Sequence, residues 1–180
     1  MLPDTQNEKY KHQDQIQKFV QLVFEDSKDY SLLLEIVSTV GINTVFPCYF
    51  LWKDDDESEL RRSDYGKTTF LFVALFYKNV EVIRLLLENG ADPNGRDGYE
   101  EPPIWDLQYK YDDAQYGLRV TRLLLEHGAD PNIKWDAPEG FYTYVHTKPA
   151  DIIESKEEFN YLWDLAELLE EFGGRFDWEE

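Results

Sequence analysis

Apolar residues along the chain recur at i, i+3, i+4 and i+7, the spacing of one face of an α-helix. Ile16, Phe19, Val20 and Val23 form one such stripe. Val82, Ile83, Leu85, Leu86 and Leu87 form a broader one, with Glu88 left on the wet side. Gly90 follows where a helix ends at φ > 0, which glycine adopts without a Cβ clash. Pro93 cannot continue the helix, and Asp92 and Asn94 favour a turn. The stretch "LLLENGADPN" (residues 85–94) then returns as "LLLEHGADPN" (residues 123–132), Gly90 and Gly128 standing 38 residues apart. Weaker copies are "LLLEIVSTVGIN" (32–43) and "LAELLEEFGGRFDW" (165–178). Four helix ends are therefore predicted, at Gly41, Gly90, Gly128 and Gly173. Each closing helix needs a partner before it, supplied by the stripe Ile16, Phe19, Val20 and Val23 and by the segments after Thr69, Pro102 and Lys148. A short helix with so wide an apolar face requires a neighbour, and its near-repetition marks a stacked array.

The repeated segment resembles the ankyrin repeat. That family's unit is a hairpin loop and two antiparallel helices, with Thr-Pro-Leu-His opening the first helix. It closes the second on Gly-x-x-Glu-Val-Val-x-Leu-Leu-Leu-x-x-Gly-Ala-Asp-x-Asn. Here "KNVEVIRLLLENGADPN" (78–94) follows the second helix closely. The opening slot reads Thr69-Phe70-Leu71-Phe72, Pro102-Pro103-Ile104-Trp105 and Lys148-Pro149-Ala150-Asp151. Thr caps a helix, Pro suits its first turn and Leu packs inward. The family histidine, which ties neighbouring hairpins together, is absent from all three slots, so irregular hairpins are expected. The resemblance implies an all-α solenoid of about four helix pairs in one domain, residues 1–180. A capping pair occupies 13–41, and repeats occupy about 69–90, 102–128 and 148–173.

Spacing locates the departures from a unit of about 33 residues. Thr69 to Gly90 and Gly90 to Pro102 are regular. Surplus residues lie in "FLWKDDDESELRRSDYG" between Gly41 and Thr69, in "QYKYDDAQYG" between Pro102 and Gly128, and in "KWDAPEGFYTY" after Gly128. Insertions in repeat arrays fall on loops and gather on the binding face. These combine aromatic side chains with acids, the pairing that grips a basic protein: charge steers and rings supply buried area. The candidate partner-binding residues are Trp52, Asp54, Asp55, Asp56, Glu57 and Tyr65 from the first insertion. Trp105, Tyr109, Tyr111, Asp112 and Asp113 come from in and before the second. The third gives Trp135, Asp136, Phe141 and Tyr142, with Trp135 and Tyr142 as anchors outside the core.

Composition sharpens this. The 180 residues hold 37 acids and 18 bases, a net charge of −19. Such a chain is repelled by nucleic acid and by anionic membrane surfaces. With 42% apolar and 16% aromatic residues it has material for a core. No run reaches the ~20 apolar residues of a membrane span, and residues 1–15 lack the apolar stretch of a signal peptide. The single cysteine, Cys48, suits a reducing cytoplasm and reads as a small buried residue between aromatics.

Candidate chemistry is thin. His12, His127 and His146 have no metal-ligating partner at helical spacing. "GKT" (66–68) lacks the glycine a phosphate loop requires at position 61, which is Arg. With 37 acids, carboxylate pairs carry no information. No catalytic residue, cofactor or metal is assigned. The resemblance implies a non-catalytic protein-binding module, monomeric when free. The sharpest version is an acidic inhibitor or immunity-type protein that neutralises a basic partner such as a nuclease or toxin domain. The alternatives are a scaffold for neutral peptides, its charge serving solubility, and an enzyme with a pocket at His146.

Overall fold

The computed structural model describes residues 12–53, 60–135, 139–147, 153 and 155–178. The fold is mostly helical, with eight α-helices and a two-stranded sheet among the described residues. The chain divides into two units, residues 1–85 and 86–180.

In the first unit, α1 (Gln13–Phe24) buries the stripe Ile16, Phe19, Val20 and Val23. Helix α2 (Tyr30–Val40) starts on Asp29, whose carboxylate accepts the Leu32 N–H at 3.1 Å, and ends at Gly41 with φ +100°. Next come β1 (Phe46–Lys53), β2 (Leu60–Thr68) and α3 (Phe70–Phe76). The Thr69 hydroxyl accepts the Phe72 N–H at 3.4 Å, the cap read from the sequence. Helix α4 (Val80–Glu88) runs through the boundary between the units.

The surplus between Gly41 and Thr69 corrects the all-α expectation, because it folds as an antiparallel hairpin rather than a loop. Its register runs from Phe46 opposite Thr68 to Lys53 opposite Leu60, with an irregularity at Cys48/Tyr49. The cause is period-two alternation rich in aromatics. Phe46, Cys48 and Phe50 are buried, while Val45 and Tyr49 are exposed. Phe46 and Phe19 both pack on Phe70, with ring centroids at 4.7 and 4.6 Å. Phe50 stacks on Phe76 at 4.0 Å. The outward backbone of β1 is also satisfied. The Tyr77 hydroxyl accepts the Leu51 N–H at 2.6 Å and donates to the Leu51 carbonyl at 2.9 Å. Burial pushes this phenol up to about 12. One side chain thus substitutes for a neighbouring strand at an otherwise open edge.

The second unit holds the end of α4, then α5 (Pro103–Asp106) and two 3-10 turns, Leu107–Tyr109 and Tyr111–Asp113. Helices α6 (Ala114–Glu126), α7 (Phe141–Thr147) and α8 (Lys156–Glu171) follow. The surplus in "QYKYDDAQYG" is taken up by the 3-10 turns, and Asp113 ends it as the cap of α6, accepting the Tyr116 N–H at 3.4 Å. The slot at Lys148, Pro149, Ala150 and Asp151 lies outside the described residues.

The predicted terminators Gly90, Gly128 and Gly173 sit at φ +92°, +93° and +89°. Each completes the same paired cap. Ala91 N–H reaches Leu86 O at 3.0 Å, Ala129 N–H reaches Leu124 O at 2.9 Å, and Gly174 N–H reaches Leu169 O at 2.9 Å. These bonds satisfy carbonyls that a helix end would orphan. The repeated asparagine joins one helix end to the next. Asn94 Nδ2 donates to Gly128 O at 2.9 Å, and its Oδ1 accepts the Asp130 N–H at 2.8 Å. Asn132 does the same to Gly173 O (3.1 Å) and Arg175 N–H (2.9 Å).

Candidate functional site

The charged surface of the second unit is built where the turn after α4 meets the start of α5. Asp97 organises that turn. Its Oδ1 accepts the N–H groups of Tyr99 (2.8 Å) and Glu101 (3.1 Å), and its own N–H donates to Glu101 O at 3.2 Å. Arg96 closes the turn from behind, donating to Glu100 O at 2.6 Å and to Lys134 O at 2.8 Å. Glu100 takes φ +61°, which turns the chain toward Pro102. The result holds two carboxylates, Asp97 and Glu101, beside a third, Asp106 on α5.

These carboxylates repel one another in partly dry surroundings. Burial raises the Asp97 carboxyl above its ordinary range against the two N–H bonds that lower it, and Glu100 adds to the rise. Glu101 is pushed up to about 7, first by burial and then by Asp106 and Asp97. Lys110 opposes this, and it already pairs with Asp106 at 3.1 Å. Lys110 is thus shared between Asp106 and Glu101, while Arg96 is committed to backbone carbonyls, so the acids of this turn favour a further positive charge. Around them stand exposed rings, Tyr99 at 61% and Tyr109 at 54%, with Asp112 also exposed.

The sequence candidates divide sharply. Tyr109 and Asp112 are exposed, and Tyr111 and Asp113 are half-buried. Trp105, Phe141 and Tyr142 are buried, at 2%, 0% and 4% exposure. Their burial removes them from any accessible surface, Tyr142 as an anchor included. Trp105 Nε1 donates to Ile133 O at 2.9 Å, and its ring meets Phe141 at 5.2 Å. The apolar letters of the third insertion therefore start a helix and fill the core beneath it. Trp135 is half-buried, edge-on to Trp105 at 5.7 Å, with its Nε1 donating to Tyr99 O at 3.2 Å. Trp52 and Tyr65 lie in β1 and β2, and their side chains are outside the described set. Asp54, Asp55, Asp56, Glu57 and Asp136 lie outside the described residues altogether.

Sequence reasoning passed over Tyr99, Glu101 and Asp106. Tyr99 and Glu101 sit in the regularly spaced interval before Pro102, and Asp106 lies just ahead of the second insertion. The signal present was the local density of acids in "RDGYEEPPIWD". Among the described residues no group of three or more His, Cys, Asp or Glu side chains is placed to hold a metal ion. No helix there is long and apolar enough to cross a membrane. Among the described residues, the cavity beside His146 is otherwise lined by Val145, Ile153, Phe159, Leu162, Trp163 and Ala166, none of them a carboxylate.

Comparison with known families decides the class of the regular segment. Residues 66–98 match the ankyrin repeat. The match runs from the end of β2 through α3 and α4 into the Asp97 turn. Ankyrin repeats are generally non-catalytic interaction modules, so the match supports a protein–protein interaction module. No curated protein matches the chain closely enough to count as a relative.

Proposed function

We propose that the protein is an acidic inhibitor of the immunity type, which neutralises a basic protein partner such as a nuclease or toxin domain in the cytoplasm. The observation that carries this reading is the crowding of Glu101 and Asp106, with Asp97 buried behind them, beside exposed Tyr99 and Tyr109. Carboxylates held together against their own repulsion gain most when a lysine or arginine arrives, and flanking tyrosines supply desolvated contact area. The net charge of −19 extends the attraction beyond the contact and speeds encounter. The partner-binding set then reads Tyr99, Glu101, Asp106, Tyr109, Tyr111 and Asp112. The free protein is monomeric, since two copies of so acidic a chain repel each other.

The test is association kinetics against salt with the partner recovered from source cells. The on-rate should fall steeply as salt rises, and Glu101→Gln/Asp106→Asn should flatten that slope. An on-rate indifferent to salt would favour the scaffold for neutral peptides.

A further inference from the structure

We infer that α7 and α8 carry a second docking surface, a groove that takes a basic amphipathic helix from a protein partner. Helix α8 already has a filled inward face, where Tyr161, Leu162, Leu165, Leu168 and Leu169 are buried. Two further large apolar side chains stand on its open side. Phe159 and Trp163, four residues apart and hence neighbours on one stripe, are 50% and 56% exposed. Beside them a cavity of about 110 Å³ opens between α8 and α7, floored by Val145, Leu162 and Ala166. The aromatic surface continues past His146, whose ring lies 6.4 Å from Trp163 and 4.9 Å from Phe176. Trp178 then stacks on Phe176 at 4.6 Å and is 66% exposed. An exposed apolar run of this length marks a surface that something covers.

Charge identifies the occupant. Asp164 lies on the same surface as Phe159 and Trp163. Glu167 accepts the Trp163 Nε1–H at 3.0 Å and so borders the ring. The sequence of α8, KEEFNYLWDLAELLEE, holds six acids and one base. A second copy of this chain would bring −19 against −19, and an anionic membrane would be repelled in the same way. A helix with apolar anchors at i, i+3/i+4 and i+7 and with Lys or Arg flanks satisfies both the rings and the acids. No residue of this groove belongs to the Asp97–Glu101–Asp106 cluster, so either surface can fail alone.

The test uses the full chain and a designed peptide of about 18 residues, with Leu and Lys at helical spacing, long enough to hold a helix when docked. Its dissociation constant is measured by calorimetry beside that of a Glu-for-Lys version. The Lys peptide should bind the parent, and the Glu version should not. Phe159→Ser/Trp163→Ser should weaken binding about tenfold or more. Asp164→Asn/Glu167→Gln should weaken it several-fold and flatten its salt dependence. Glu101→Gln/Asp106→Asn should leave it unchanged, which separates this groove from the proposed inhibitor surface. Circular dichroism of each variant checks folding, which exposed positions should not disturb. Equal binding of the parent and of Phe159→Ser/Trp163→Ser would overturn the groove. So would no binding to the parent, self-association of the parent that the double variant loses, or adsorption to phosphatidylcholine vesicles through the same two rings.

Discussion

Replacing Glu101 with Gln should make the protein more stable above neutral pH and a poorer binder. In the folded protein this carboxyl is raised from 4.5 to about 7, so the native state holds the proton more tightly than the unfolded chain. At pH well below 4.5 the group is neutral in both states and contributes no penalty. Between pH 4.5 and about 7 the unfolded chain ionises this group while the folded protein still holds the proton, so stability falls across that window and the full penalty stands above 7. The full shift corresponds to about 3 kcal/mol. Glu101 is only half-buried, and screening by water reduces this to on the order of 1 kcal/mol. Glutamine keeps the side-chain shape and both backbone bonds to Asp97. Urea midpoints at about pH 8 should therefore rise by the equivalent of ~1 kcal/mol, with an unchanged slope, and hardly move at about pH 4. An equal gain at both pH values would refute the electrostatic origin, and so would no gain at pH 8. A residue that weakens the fold while strengthening a contact is what a binding site on a marginally stable scaffold produces.

Gly117→Ala should destabilise, although alanine is the better helix former by about 1 kcal/mol. A Cβ there would lie 2.4 Å from the Tyr161 hydroxyl, and that hydroxyl is fixed by its bond to the Leu107 carbonyl. Overpacking of this kind costs ~1–3 kcal/mol, so a thermal midpoint at or above that of the parent would show that the contact yields freely. Gly90→Val has open space around it but must hold φ +92°; it should cost ~1–2 kcal/mol in a urea melt through backbone strain alone. Asn94→Ala removes one donated and one accepted bond at a solvent-exposed site and should cost about 1–2 kcal/mol, with faster amide exchange at Asp130. Tyr77→Phe should raise exchange at the Leu51 amide and loosen β1, while leaving exchange in α6 and α8 unchanged.

The helix ends were legible because each is enforced within a few residues. Glycine at φ > 0 is a local steric requirement, and leucines at helical spacing are a local pattern. The hairpin was not read, although "VFPCYF" carries its alternation openly. Counting its residues as surplus over a repeat unit hid the period they have of their own. The binding surface was legible only in part, for a different reason. Insertion and aromatic content do not distinguish a ring that faces solvent from one that fills a core. Trp105 and Phe141 follow helix-opening turns that carry them inward, whereas Tyr109 stands at the end of a 3-10 turn that leaves it outside. Glu101 depended on distances between carboxylates on different elements, which letter spacing does not express.

Nine identical letters out of ten in two helix ends exceed what helix ending requires. Leucine spacing and glycine would end each helix without the aspartate, proline and asparagine that follow. The asparagine needs a partner of fixed geometry, and that partner is the next copy's cap. Its amide reads one carbonyl and one N–H, Gly128 O and Asp130 N–H, which lie correctly spaced only when a left-handed glycine precedes the turn. Asn132 imposes the same demand on the following cap. There Gly173 keeps the conformation, while Gly174 and Arg175 replace the alanine and aspartate. The bond to Arg175 uses its backbone N–H, so the side chain is free to change. Gly174 changes for a packing reason, since a Cβ would lie 2.5 Å from the Tyr142 ring. The internal copies of this segment therefore share a backbone geometry between neighbours, with letters repeated where that geometry depends on them and changed where it does not.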